Sequence, residues 1–206
     1  MTFTFPRAAD IASFHDLAIL EGEPAKRASG PLWEAVARNH RFNCLLWAEE
    51  DLARRRDVAD ATIAANKRAI DGYNQKRNDA TETIDEILLA ELALVPRKTP
   101  CRQNSETAGS MIDRLSILAL KVFHMALQTE RTDASAEHIA RCQEKLELLL
   151  SQREDLKNCL DALLSDCRAG VAHFKIYRQF KMYNDPSLNP QLYGSSSPPA
   201  TETTTR

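Results

Sequence analysis

From Leu32 onward the hydrophobic positions recur with a helical period. At about 100° per residue, Trp33, Val36, Ala37, His40, Cys44, Trp47 and Val58 fall on one face. Leu32 to Val95 contains no proline and a single glycine, Gly72. So long a run exceeds the roughly 8–20 residues of an ordinary globular helix. It predicts two long helices with a break between Asp57 and Ala65, or one long bent helix. The second helix should reach about Leu94, with Ile63, Ile70, Tyr73, Ile84, Ile87 and Leu88 as its apolar stripe. Pro96 and Pro100 bracket a loop, and Ser105 or Ser110 is placed to cap a third helix.

The third helix, Met111 to Gln128, is apolar on nearly all sides apart from Arg114 and Lys121. A helix of that kind belongs at the centre of a molecule or in a subunit interface. TERTDASAEHI reads as a turn. Ile139, Cys142, Leu146, Leu149, Leu156, Leu160, Leu163 and Cys167 mark a fourth helix, which either continues to Phe180 or restarts after Gly170. No segment reads as a strand. The fold expected is all-α, an up-and-down bundle of four or five long helices. Residues 1–30 read as a weakly structured N-terminal segment in which Ile11 to Leu20 allow a short helix. Residues 31–194 form the bundle, and 195–206, SPPATETTTR and its neighbours, lack apolar anchors and read as a disordered tail. Phe180, Tyr183, Leu188, Leu192 and Tyr193 suit a hydrophobic strap across the bundle or onto a partner subunit.

A polar stripe runs along the second helix. With Asn74 at zero, Lys67 falls at about 20°, Asp71 at about 60°, Asn78 at about 40°, Thr81 at about 340° and Asp85 at about 20°. Arg77, at about 300°, lies inside the apolar face. A guanidinium there needs a partner, since an unpaired buried charge is costly. Asp113 on the third helix and Asp51 on the first are the candidates. Packed side by side, the helices would bring Asn43, Asp51, Asn74, Arg77, Asn78 and Asp85 to one interior polar cleft. That arrangement has two readings. One is a polar network that fixes helix register. The other is a ligand cleft in which Arg77, with one or more of Arg54, Arg55 and Arg56, holds a phosphate or carboxylate by bidentate contacts while Asn74 and Asn78 orient it.

Composition narrows the classes. A chain of 206 residues makes about one domain, and a hydrophobic share of 43% with 27% charged residues is that of a globular chain. The net charge of −2 gives no electrostatic reason to expect nucleic acid. No apolar run of signal-peptide or membrane-spanning kind occurs, so no membrane insertion is expected, and the cytoplasm is the expected location. The five cysteines, at 44, 101, 142, 159 and 167, show no CxxC spacing and read as small reduced hydrophobes. His15, His138 and His173 have no acidic or cysteine company at ligand spacing, and no HExxH, GxSxG, phosphate-loop or GxGxxG string is present. Glu82 with Asp85 or Glu86 makes one acidic pair for magnesium, but Glu106 and Asp113, seven apart, make a poor second. No cofactor and no metal site are therefore expected, magnesium entering only with the enzyme alternative below. The loop ahead of the third helix, Asn104 to Ser110, reads as a cap, with Ser110 and Asp113 as a capping box. Exposed amides there are the anion-binding alternative.

Three stretches carry a resemblance: NHRFNCLLWAEEDLARR from Asn39, KRAIDGYNQKRNDATETIDEILL from Lys67 and NSETAGSMIDRLSILALKVFHM from Asn104. Together they resemble the bacterial domain-of-unknown-function family 4254, over roughly residues 30–195. The resemblance implies an all-helical protein and a loose association with envelope polysaccharide or glycosyl-transfer genes. The family's recurring polar positions match Asp51, Lys67, Asn74, Arg77, Asn78, Glu82, Asp85, Asp113 and Arg114, among others, and bring no catalytic role with them. The expected function is a helical accessory or binding protein, a homodimer with a small anionic ligand at Asp51, Lys67, Asn74, Arg77, Asn78 and Arg114. The alternative is a small enzyme acting on a phosphorylated or nucleotide-sugar-like substrate, with Glu82, Asp85 or Asp113 as acid, base or magnesium ligand.

Overall fold

A computed structural model describes residues 3–22, 29–178, 182 and 185–193. The chain divides into two compact units, Met1–Ile176 and Tyr177–Arg206. The first holds α1 (Ala8–Glu21), α2 (Pro31–Leu52), α3 (Asp60–Leu92), β1 (Arg102–Gln103), α4 (Ala108–Thr129), α5 (Ala136–Arg168) and β2 (Ala172–His173). The second holds a turn in which Asp185 accepts from the Leu188 and Ser187 amides, and the one-turn helix α6 (Pro190–Tyr193). Phe180, Tyr183 and the expected disordered tail at 195–206 lie outside the described residues.

The all-α reading holds. Side-chain pairs give the directions. Asn39 meets Thr81 and Glu49 meets Asn66, so α2 and α3 are antiparallel. Asp85 meets Gly109 and Arg77 meets Asp113, so α3 and α4 are antiparallel too. The short turn to α5 completes an up-and-down set of four. Against this set packs α1, running opposite to α5 through the Ala8 amide on Asp161 and Arg153 on Asp16. The first thirty residues thus carry a core helix, with Ile11 and His15 fully buried. GEPAKRASGP separates that helix from the next in sequence, and the apolar period of Ile11 to Leu20 still draws it onto α4 and α5.

Pro31 opens α2 at its first turn, where its missing N–H costs nothing. The break between α2 and α3 falls at 53–59, and α3 ends at Leu92. Thr107 caps α4, its side chain accepting from the Ser110 amide at 3.1 Å. Ser105 and Ser110 do not cap it, because the first helical residue is Ala108 and Ser110 lies inside the first turn. Gly170 ends α5 with φ +72°, where a Cβ would sit 2.3 Å from the Pro96 carbonyl oxygen. That close approach brings the 96–102 loop against the chain after α5. The two-residue parallel pair of β1 and β2 forms there, the one strand pairing among the described residues.

Helix α4 takes the central position its composition requires, with α1, α2, α3 and α5 all packed on it. Ile112, Leu115 and Ala119 are buried among Ile11, Val36, Ile84, Leu88 and Leu160. Its last turns emerge from the core, where Leu127 is 44% exposed. Among the described residues no helix is long and apolar enough to cross a membrane.

Candidate functional site

The polar side chains of α2, α3 and α4 meet inside the bundle, and most close on one another. The Asn39 Nδ2 donates to Asp113 Oδ1 at 2.8 Å and to Thr81 Oγ1 at 3.1 Å. One turn later the Asn43 Nδ2 donates to the same Asp113 oxygen at 2.8 Å and to Ser116 Oγ at 3.0 Å. Ser116 shares a 2.7 Å hydrogen bond with His40 Nδ1. The His40 ring stacks on His15 with centroids 4.7 Å apart. Burial holds His40 at about 4 and His15 well below the usual histidine range, so both rings are neutral at physiological pH. Both His15 ring nitrogens are buried without a hydrogen-bond partner. This network ties α2, α3 and α4 together.

Arg77 stands at the edge of that network. Its Nε lies 3.9 Å from Asp113 Oδ2, an ion pair without a hydrogen bond, and that Nε is buried with no hydrogen-bond partner. One of its terminal nitrogens donates to Asn78 Oδ1 at 3.1 Å. Beside the guanidinium opens a cleft of about 320 Å³, lined by Asn43, Trp47, Glu50, Asp51, Arg54, Asn74 and Arg77, with Leu46, Ile117 and Leu120. Trp47 is held flat against His124, centroids 4.4 Å apart and planes 5° off parallel. Glu50 bridges Arg54 at 2.7 Å and Lys67 at 3.3 Å across the α2–α3 pair.

Of the residues singled out from the sequence, Asp51, Asn74 and Arg77 line this cleft. Asn78 backs Arg77, and Lys67 joins the cleft through Glu50. Asp113 contacts Arg77 but is engaged by two amides. The other three lie elsewhere. Arg114 pairs with Glu106 at 2.7 Å, away from the cleft. Asp85 accepts the Gly109 N–H at 2.6 Å and bonds Thr107, closing the start of α4. Burial, only partly offset by those bonds, raises its pKa to about 6. Glu82 lines none of the clefts described here and acts on Asp85 through its charge. Among the described residues no three His, Cys, Asp or Glu side chains cluster as a metal site. Asn39 and Ser116 were missed from sequence. The readable signal for Asn39 is its four-residue spacing from Asn43, which puts two amides on the apolar face of α2. Glu50, at the same spacing from Arg54, was legible as a helix ion pair. His173 does have cysteine company, Cys101 Sγ at 3.4 Å from its Nδ1, brought there by the β1–β2 pair.

The chain belongs to the family described as "Protein of unknown function (DUF4254)", whose match spans residues 33–176 and so contains the whole network and cleft. No curated protein and no solved structure matches it.

Proposed function

We propose that the chain is a helical binding protein whose Arg77 cleft takes a small polyhydroxylated anion, a sugar phosphate or nucleotide sugar. The observation that carries this reading is the Arg77 guanidinium. It has a buried Nε that lacks a hydrogen bond, on a side chain that lines an open cleft. A phosphate or carboxylate would complete its donor set by charge-assisted bonds. The other lining groups suit hydroxyls: the carboxylates of Glu50 and Asp51 accept, the amide of Asn74 does both, and Trp47 offers an apolar face. A link to envelope polysaccharide synthesis, which the family resemblance implied, makes sugar phosphates the first compounds to test.

The enzyme alternative names Glu82, Asp85 or Asp113 as its acting group, and none of the three lines the cleft. Asp85, the carboxyl with a raised pKa, lies at the start of α4 with an oxygen engaged by Gly109, and Asp113 is held by Asn39 and Asn43. The binding reading is therefore preferred. A homodimer in the cytoplasm belongs to the same reading, and its contact would use the emergent end of α4, with the exposed Leu127. Light scattering tests the dimer.

The ligand is tested by thermal shift against sugar phosphates, nucleotide sugars and inorganic phosphate. A ligand at about 100 times its Kd adds about 2.7 kcal/mol of apparent stability. The expected result is a rise of several degrees that Arg77→Ala abolishes and Asn74→Ala reduces. No rise with any compound, or a rise that survives Arg77→Ala, refutes the reading.

A further inference from the structure

A second and larger cleft adjoins the first at Trp47 and Asp51 of α2. Helices α1 and α2 both pack on α4. They meet at Phe14 and Trp33, centroids 5.4 Å apart, and at the stacked His15 and His40. Beyond that meeting the two helices leave a cleft of about 850 Å³, lined by both of them. Its apolar surface comes from Ile19 of α1, Ala37 and Trp47 of α2 and Leu120 of α4. The volume is within the roughly 300–1,000 Å³ of small-molecule sites, and the apolar lining with few charges is typical of them.

The charges are arranged on one stretch. Arg38 and Arg41, three residues apart, stand on neighbouring turns of α2 at the cleft. Among the described residues neither has a carboxylate partner. The one acidic residue of the lining, Asp51, is ten residues beyond Arg41, about 15 Å along the helix. His40 is neutral there because it is buried. The cleft thus offers a long apolar surface with two guanidinium groups that no carboxylate among the described residues neutralises.

We propose that the α1–α2 cleft binds a single-chain anionic amphiphile, its phosphate or carboxylate on Arg38 and Arg41 and its apolar chain along Trp47, Leu120 and Ile19. Chemistry at both ends argues for this occupant over a neutral lipid or a free anion. Arginines give nothing to an uncharged head, and inorganic phosphate leaves the apolar surface wet. The site adjoins the Arg77 cleft, with which it shares Trp47, Asp51 and Leu120 as lining, but Arg38 and Arg41 line this one and Arg77 only the other.

The test is titration calorimetry of the full chain with dodecyl phosphate below its micelle concentration, with dodecanol and inorganic phosphate as separate arms. The expected result is saturable binding of one dodecyl phosphate per chain, with dodecanol about tenfold weaker and no comparable site for inorganic phosphate. The double variant Arg38→Glu, Arg41→Glu should bring dodecyl phosphate down to the dodecanol level. Ala48→Trp, at an exposed position on the same cleft, should obstruct it and weaken binding without unfolding the chain, as circular dichroism checks. Arg77→Ala should leave this binding intact, which separates it from the sugar-phosphate site. Unsaturable heats, equal affinity for dodecanol, or affinity unchanged in Ala48→Trp would overturn the proposal. So would a dimer that Ala48→Trp dissociates, since the cleft would then be covered by a second copy.

Discussion

Gly109 separates two predictions of opposite sign. On helix propensity alone, alanine at this position in the first turn of α4 would stabilise the chain by up to about 1 kcal/mol. The packing says otherwise. A Cβ on Gly109 would sit 2.5 Å from the Thr81 carbonyl oxygen and 2.8 Å from the Asp85 carboxyl carbon, and ordinary contact starts at 3.4 Å. The helices would have to part by 3.4 − 2.5 = 0.9 Å. The carbonyl belongs to the α3 backbone and cannot rotate aside. Parting α3 from α4 stretches the 2.6 Å bond from the Gly109 N–H to Asp85 and leaves a buried carboxylate short of a donor. Overpacking of this kind costs about 1–3 kcal/mol, and losing a hydrogen bond to a charged group about 1.5–3 kcal/mol. Less the propensity gain, Gly109→Ala should destabilise by about 3 kcal/mol, a fall in Tm of about 6–12 °C for a chain of this size.

The assay is urea unfolding followed by far-UV circular dichroism, with Gly72→Ala as the partner variant. Gly72 lies in the middle of α3, exposed, with nothing within 4 Å of its added Cβ. There alanine should stabilise by about 0.5–1 kcal/mol. If Gly109→Ala unfolds at the same urea concentration as the parent, or later, the close approach of α3 and α4 is refuted. Asp113 follows Gly109 by one turn, so the variant should also weaken ligand binding at Arg77 without touching the cleft.

Asp85 and the paired histidines make stability depend on pH in opposite senses. The folded-state pKa of Asp85, about 6 against 3.8, is raised, so its contribution is fully present below pH 3.8 and is lost as pH rises through 6, about 3 kcal/mol in all. That of His40, about 4 against 6.5, is lowered, so its contribution is present above pH 6.5 and is lost as pH falls through 4. Asp85→Asn should therefore raise stability at pH 7 and steepen the acid loss between pH 6 and 4, as urea midpoints across that range would show; an unchanged profile counts against the assignment. Asp113→Ala leaves the Asn39 and Asn43 amides without their shared acceptor and should cost about 2–4 kcal/mol in the same assay. In the folded chain a thiol reagent should modify exposed Cys159 rapidly and buried Cys142 and Cys167 only on unfolding, the latter also slowed by a thiol pKa of about 11; prompt labelling of Cys142 would contradict the α5 packing.

The helical period was enough to place every long helix, because each has one face that must leave water. It was less informative about the polar stripe. A wheel gives the direction of a side chain but not what stands opposite. Asn74, Arg77 and Asp85 share a side of α3, yet two turns separate Arg77 from Asp85 along the axis. At the level of Arg77 the opposing surface is the open space beside Trp47; at Asp85 it is the backbone of Gly109. The same direction therefore ends in a cleft at one height and in a helix cap at another. Arg114 illustrates the reverse case: its neighbour Asp113 faces α2 and α3, and one step of about 100° turns Arg114 out to Glu106. The β1–β2 pair and the contact of Cys101 with His173 join residues some seventy positions apart in elements too short to show a period.

What distinguishes Arg77 is best seen against Arg153. Arg153 meets Asp16 with both terminal nitrogens, one bond of 2.9 Å and a second that is shorter, the closed fork that a structural guanidinium adopts. Arg77 faces Asp113 Oδ2 with its Nε at 3.9 Å while both α2 amides donate to the other carboxylate oxygen, Oδ1. The network keeps Asp113 satisfied without Arg77. If Arg77 adds nothing to stability, an apolar side chain of like length can replace it at no cost, because Asp113 keeps its two amide donors. Arg77→Met should accordingly keep or raise the urea midpoint and abolish sugar-phosphate binding. A loss of several kcal/mol in that variant would instead make Arg77 a register residue, like Asn39 and Asn43, and remove the cleft's claim to an anion.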